Sequence, residues 1–348
     1  MKYLFHNSDC YVFVLSKKDF NLIELPARKD DILSLEKSLI SSILKVESLG
    51  IGKWVNDILR EFDLDKAHKL YEALIKPISQ YLAGKTLLIV SSSSALSGFP
   101  FEALVVKEGA MRRDASLIFS EYENSTYLID EFAVIYSPLA YLLHKNSVNE
   151  NYQFFLCDVG GEKSELYSDL TEMIENKDGL VHINLAHKKE LSQDLSQCRI
   201  VNISSPIDID LKRLSKSTIN IEKGEKRKKI NPQEILKNNK SHSLIVLSDY
   251  AEDMILQEEF LSESSKIGRI FGNKIIYPLW NTNVDVKKSF LKDFYKNLIS
   301  NDFNYSRGEV LRLSKRDIKK TIIRDEKSPH SISLSHPYFW ANFIQIGR

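Results

Sequence analysis

Residues 243–253 read SLIVLSDYAED. Four consecutive apolar residues, Leu244 to Leu247, are closed by Ser248, Asp249 and Tyr250 and, after an alanine, two acids. A short apolar run bounded by polar residues predicts a buried strand. Its turn falls where α/β enzymes hold functional groups, beyond the carboxyl end of a parallel strand. A second stretch, CRIVNISSPIDID (198–210), has the same form and ends in Ser204-Ser205-Pro206. Neither tip holds a cysteine or a histidine. The residues alone therefore define an α/β domain with two polar strand ends, and no reaction.

The neighbouring sequence extends this pattern in both directions. TLLIV (86–90), FAVIYS (132–137), YQFFLCD (152–158), LVHINL (180–185) and KIIYPLW (274–280) are short and rich in Val, Ile and aromatic residues. KKELSQDLSQ (188–197), NPQEILKNN (231–239) and KSFLKDFYKNLI (288–299) carry helical spacing between them. Strands alternating with helices predict a mainly parallel sheet covered on both faces. Upstream, KYLFHNSD, YVFVLSKKD and FNLIELP alternate apolar and polar residues and predict short antiparallel strands with polar turns. From Asp31 to Leu82 the apolar spacing becomes helical, with Asp63 or Asp65 as the N-cap before KAHKLYEALIKPI. IEKGEKRKKINP (221–232) reads as a solvated loop, and HPYFWANFIQIGR (336–348) as a terminal strand.

Bulk properties exclude several classes. The 348 residues are 43% hydrophobic and 27% charged, with a formal net charge of +1, so no global field favours nucleic acid or an anionic membrane. No apolar run approaches the roughly 18 residues of a membrane span, and the first residues lack a signal-peptide apolar region; a cytoplasmic protein is expected. Cys10, Cys157 and Cys198 are far apart, which gives neither a disulfide framework nor a zinc site. His182 and His187 are five apart, off the spacing that aligns a metal pair on a helix. SSSSALSGFPFEAL (91–104) follows a strand but lacks the GxxxxGK[ST] phosphate signature. Paired carboxylates such as Asp30-Asp31, Glu252-Asp253 and Glu258-Glu259 sit in polar segments. No metal and no cofactor is required.

The same segments, taken in order, resemble the CHAT domain, a caspase-like cysteine peptidase domain. GKTLLIVSSSSALSGFPFEALV (84–105) is similar to the stretch that runs from a strand to Leu-Pro-Phe-Glu-Ala-Leu. YLIDEFAVIYSPLAYLL (127–143), NPQEIL, FGNKIIYPLWNTNVDV (271–286), KSFLKDFYKNLI and HPYFWANFIQIG (336–347) follow in the family's order. The resemblance implies a caspase-like (caspase-haemoglobinase-type) α/β fold with a mainly parallel sheet flanked by helices and an amino-terminal strand-plus-helix region. It implies one CHAT-like domain over 1–348, with residues 1–84 as the amino-terminal part and 85–348 as the core.

The family's catalytic histidine ends the strand that here is RIVNISSPI. Asn202 stands for the first histidine of that motif and Pro206 for the catalytic one. The family's cysteine ends the strand that here is IVLSDYAED, and Tyr250 occupies its position. Proline offers no proton-transfer group, and a phenol with a pKa of about 10 is a poor nucleophile without a base. Ser248 again has no histidine to take its proton. A slipped alignment through VHINLAHKKE (181–190) would supply His187, but Lys188 follows it instead of glycine, and Cys198 begins its strand at the far end of the sheet. The expectation is an inactive, bacterial-type CHAT domain that binds, scaffolds or regulates a protein partner. A helical protein of the TPR type or an active CHAT peptidase is the implied partner, with no nucleic acid or membrane. No repeats precede the domain, which reads as self-standing or as cut from a longer protein. The alternative is a cysteine peptidase working through rearranged residues.

Overall fold

A computed structural model describes residues 1–49, 61–91, 96, 98–110, 112–137, 154–159, 182–184, 198–204, 207–210, 213–223, 226–232, 244–248, 274–300, 306–324 and 330–347. Strict alternation at the amino terminus produces the expected antiparallel meander: β1 (Lys2–His6), β2 (Asp9–Leu15) and β3 (Phe20–Glu24). Cys10, Val12 and Val14 face inward from β2 and are buried. Asn7 holds φ at 53° in the β1–β2 turn, a conformation that asparagine tolerates better than most residues.

Helix α1 (Lys29–Leu49) and helix α2 (Leu64–Leu74) follow. Asp63, not Asp65, caps α2: its carboxylate accepts the Lys66 N–H at 2.9 Å, which satisfies one orphan donor of the first turn. Leu64, Ala67, Leu70 and Leu74 form the buried stripe. A short α3 (Ser79–Leu82) ends before Gly84, whose φ of 70° supplies the reversal into the core.

The central sheet contains eight described strands: β4 (Leu87–Val90), β8 (Ala133–Tyr136), β9 (Phe154–Val159), β10 (His182–Asn184), β11 (Cys198–Ile203), β15 (Leu244–Leu247), β16 (Ile275–Pro278) and β19 (Phe343–Ile346). Their order is β10-β9-β11-β15-β16-β19-β8-β4. Every neighbouring pair is parallel except β16–β19, so the sheet is two parallel blocks joined at one reversal. β8, β15, β16 and β19 are buried at every position, the signature of strands covered on both faces. Helix α5 (Val284–Ser300) stacks Phe290 on Phe343 at 4.3 Å and 7°. Helix α6 (Arg307–Lys319) is capped by Ser306, which accepts the Glu309 N–H.

Smaller elements surround the sheet. β5 (Val105–Lys107) pairs with β7 (Thr126–Tyr127), which leads into α4 (Leu128–Glu131). β6 (Leu117–Ile118) pairs with β18 (Ser331–Ser333), and β18 with β17 (Ile322–Arg324).

Two expectations are corrected. Residues 221–232 are not a loop: β13 (Thr218–Lys223) and β14 (Lys226–Ile230) form an antiparallel hairpin, with β12 (Ile207–Asp208) against β13. Buried Ile219 faces buried Ile230 across the pair, and the lysines of KRKKI disguise a strand anchored by this apolar contact. The carboxyl-terminal stretch is not all strand either. His336 caps a short helix α7 (Pro337–Trp340) with proline at its first position, and only then does β19 begin.

Candidate functional site

The two polar strand ends converge. β11 and β15 are parallel neighbours, with Asn202 opposite Val246 and Ile203 opposite Leu247. Ser248 donates its backbone N–H to the Ile203 carbonyl at 3.0 Å, which extends the ladder by one residue. The Asn202 side-chain Oδ1 accepts the Ser248 hydroxyl at 3.1 Å and the Tyr295 hydroxyl at 3.0 Å. All three side chains are buried. A polar group withdrawn from water needs such a partner, and here one amide oxygen serves two hydroxyls. Tyr295 arrives from α5, so helix and strand ends are tied at a single atom. The arrangement holds position; the Ser248 proton is directed at an amide oxygen, which cannot take it up as a base.

Pro206 lies three residues past Ile203, and Tyr250 three past Leu247. Both positions fall outside the described residues, as do Ser205, Asp249 and His187. Ser204 follows the last residue of β11 and is half-buried. Cys198 starts β11, opposite Phe154 of β9. Five residues at about 3.3 Å each place it roughly 17 Å from the Ile203 end. Cys157 lies within β9. Cys10 is fully buried, and burial, reinforced by nearby Asp9, pushes its thiol up to about 11, which makes it a small core residue. Among the described residues no group of three or more His, Cys, Asp or Glu side chains is placed to hold a metal ion.

The motifs that carry the resemblance pack the interior. Glu102 of FPFEAL is 1% exposed and pairs with Lys315 of α6 at 2.7 Å; it also accepts the Tyr136 hydroxyl. Tyr136 in turn accepts the Phe101 N–H at 2.8 Å. Burial holds the Lys315 ammonium below the ordinary lysine range, opposed by the attraction of Glu102. Burial likewise holds the Tyr136 phenol well above its ordinary value. Trp280 of PLW donates to the Tyr338 carbonyl at 2.9 Å, and the Tyr338 hydroxyl returns to the Asn281 carbonyl at 3.0 Å. Sequence reasoning missed Lys315 and Tyr295. The isolated acid in the apolar run FPFEAL signals a buried cation, but its partner lies 213 residues away.

These features define an α/β protein with a mainly parallel sheet, polar strand ends and a deeply packed motif set. The CHAT domain family matches over residues 64–348, and the chain belongs to that family. The mainly parallel sheet with accompanying helices that the resemblance implies is the arrangement observed. No curated protein matches the chain. The chain is also similar to chains in two crystal structures of the Saccharomyces cerevisiae separase–securin complex. One, at 3.0 Å, is 12% identical, with 92% of this chain and 20% of that one covered and a TM-score of 0.45. The other, at 2.6 Å, is 11% identical, with 92% and 23% covered and a TM-score of 0.40. The chain thus spans about a fifth of the length of those chains. Among the described residues no helix is long and apolar enough to cross a membrane.

Proposed function

We propose that this chain is a catalytically inactive CHAT domain, a pseudopeptidase retained as a binding, scaffold or regulatory module for a protein partner. One observation carries the reading: the two strands that the resemblance assigns to the family's histidine and cysteine pair in register, and on that resemblance Pro206 and Tyr250 stand in for the two residues. The register supports it because it makes the two strand ends, at Ile203 and Leu247, direct neighbours. The buried Asn202–Ser248–Tyr295 cluster supports it too, since it fastens the strand ends without a nucleophile–base pair. The partner on this reading is a protein, of the helical-repeat type or an active CHAT peptidase, met in the cytoplasm. Residues 1–348 act as one domain. The hydrogen bond from Tyr3 N–H to the Ser91 carbonyl, which ties β1 to the core, supports this.

The test is incubation of the purified chain with a peptide library and a thiol-reactive probe. No cleavage, and no labelling that depends on catalysis, is expected. The rival, a peptidase working through His187 or Cys198, predicts specific cleavage that is lost when either residue is changed; that result overturns the proposal. The position of Cys198 at the opposite end of β11 argues against the rival.

A further inference from the structure

The amino-terminal meander presents an open edge. Leu25 donates its N–H to the Cys10 carbonyl and Ser16 donates to the Asp19 carbonyl, each at 2.8 Å. These two bonds fix the phase of the β2–β3 ladder, because bonded and non-bonded pairs alternate along antiparallel strands. Asp19, Asn21, Ile23 and Leu25 therefore direct their backbone groups at β2. Phe20, Leu22 and Glu24 direct theirs away from it. Among the described residues β2 is the strand paired with β3, and no other. Edge strands are ordinarily guarded by lysine, proline or a bulge. FNLIE contains none of these, and its Phe20 and Leu22 are 64% and 56% exposed.

We propose that β3 is a self-association edge, along which two copies of this chain pair antiparallel about a two-fold axis at Leu22. The sequence around that residue is self-complementary: Lys18, Phe20, Leu22 and Glu24 run from basic through apolar to acidic. In the register centred on Leu22, each Phe20 faces Glu24 of the second copy and the two Leu22 side chains meet. All three outward residues of each copy then exchange N–H and carbonyl groups with the other. The exposed Lys18 lies diagonal to Glu24 of the second copy, within reach of a long side chain. Pro26 limits the pairing to this short segment. An unrelated extended peptide would satisfy the same backbone groups, but the charge spacing matches a second copy.

The experiment is analytical ultracentrifugation of the full chain from about 1 to 100 μM, the range in which a dimer of micromolar affinity forms. A monomer–dimer equilibrium is expected. Leu22→Pro removes one outward N–H and leaves the ladder to β2 intact, so it weakens association at least about tenfold while circular dichroism stays unchanged. Lys18→Glu also weakens it, and adding Glu24→Lys restores it. Ile322→Lys, at an exposed apolar residue of β17 in a separate sheet, leaves association intact. A monomer throughout, a dimer indifferent to Leu22→Pro, failure of the charge swap to rescue, or loss by Ile322→Lys each overturns the proposal.

Discussion

Replacing Lys315 by methionine tests the packing of the family motif directly. Lys315 and Glu102 are 0% and 1% exposed and 2.7 Å apart, so removing the cation leaves a carboxylate buried with the Tyr136 hydroxyl as its remaining donor among these groups. Breaking a buried pair from one side costs about 3–5 kcal/mol, because an uncompensated charge stays out of water. Glu102→Leu strands the ammonium instead and falls in the same range. The double variant Glu102→Leu/Lys315→Met removes both charges. Replacing a buried pair by apolar groups is neutral or stabilising by about 1–4 kcal/mol. Against this stands the Tyr136 hydroxyl, which loses its acceptor at a cost of about 1–3 kcal/mol. The double variant is therefore expected within about 2 kcal/mol of the parent, with a coupling energy of about 3 kcal/mol or more. Urea unfolding followed by the fluorescence of the buried Trp280 and Trp340 reads all four corners of the cycle. Single substitutions costing under about 1 kcal/mol, or a double variant as unstable as the two singles together, would refute the reasoning.

Asn202→Ala leaves the Ser248 and Tyr295 hydroxyls buried without their shared acceptor; a loss of about 2–4 kcal/mol in urea unfolding is expected, and Asn202→Asp, which keeps an acceptor oxygen, should alter that loss measurably. The Tyr3, Tyr127 and Tyr136 phenols are held above their ordinary value by burial. The unfolded chain ionises near pH 10, so their contribution is full below that pH and is lost as pH rises toward the folded values. The slope is about 1.4 kcal/mol per pH unit per tyrosine, and Tyr3→Phe should remove one such increment from an alkaline titration of stability. A Cβ on Gly109 would meet the Asn124 backbone carbonyl at 2.3 Å, so Gly109→Ala is expected to lower stability by about 1–3 kcal/mol in thermal or urea unfolding; an unchanged midpoint would contradict the close approach.

The sequence by itself determined the strands of the central sheet, because runs such as LIVL and IIYP are too short for helices and too apolar for loops. It also narrowed the cap of α2 to Asp63 or Asp65, a choice the structure settles at Asp63. It misplaced residues 221–232, where charge concealed a hairpin whose anchor is one cross-strand isoleucine pair. It assigned strand to a segment that begins as helix α7, where a cap and a proline at the first position outweigh aromatic β-propensity. Sheet order, the reversal between β16 and β19, the partner of Glu102 and the meeting of Asn202, Ser248 and Tyr295 were decided by tertiary structure alone. Each of these depends on contacts between residues 46 to 213 positions apart, or on which strands lie side by side. A one-dimensional pattern records which residues must be buried, but only the packed chain assigns each buried polar group its partner.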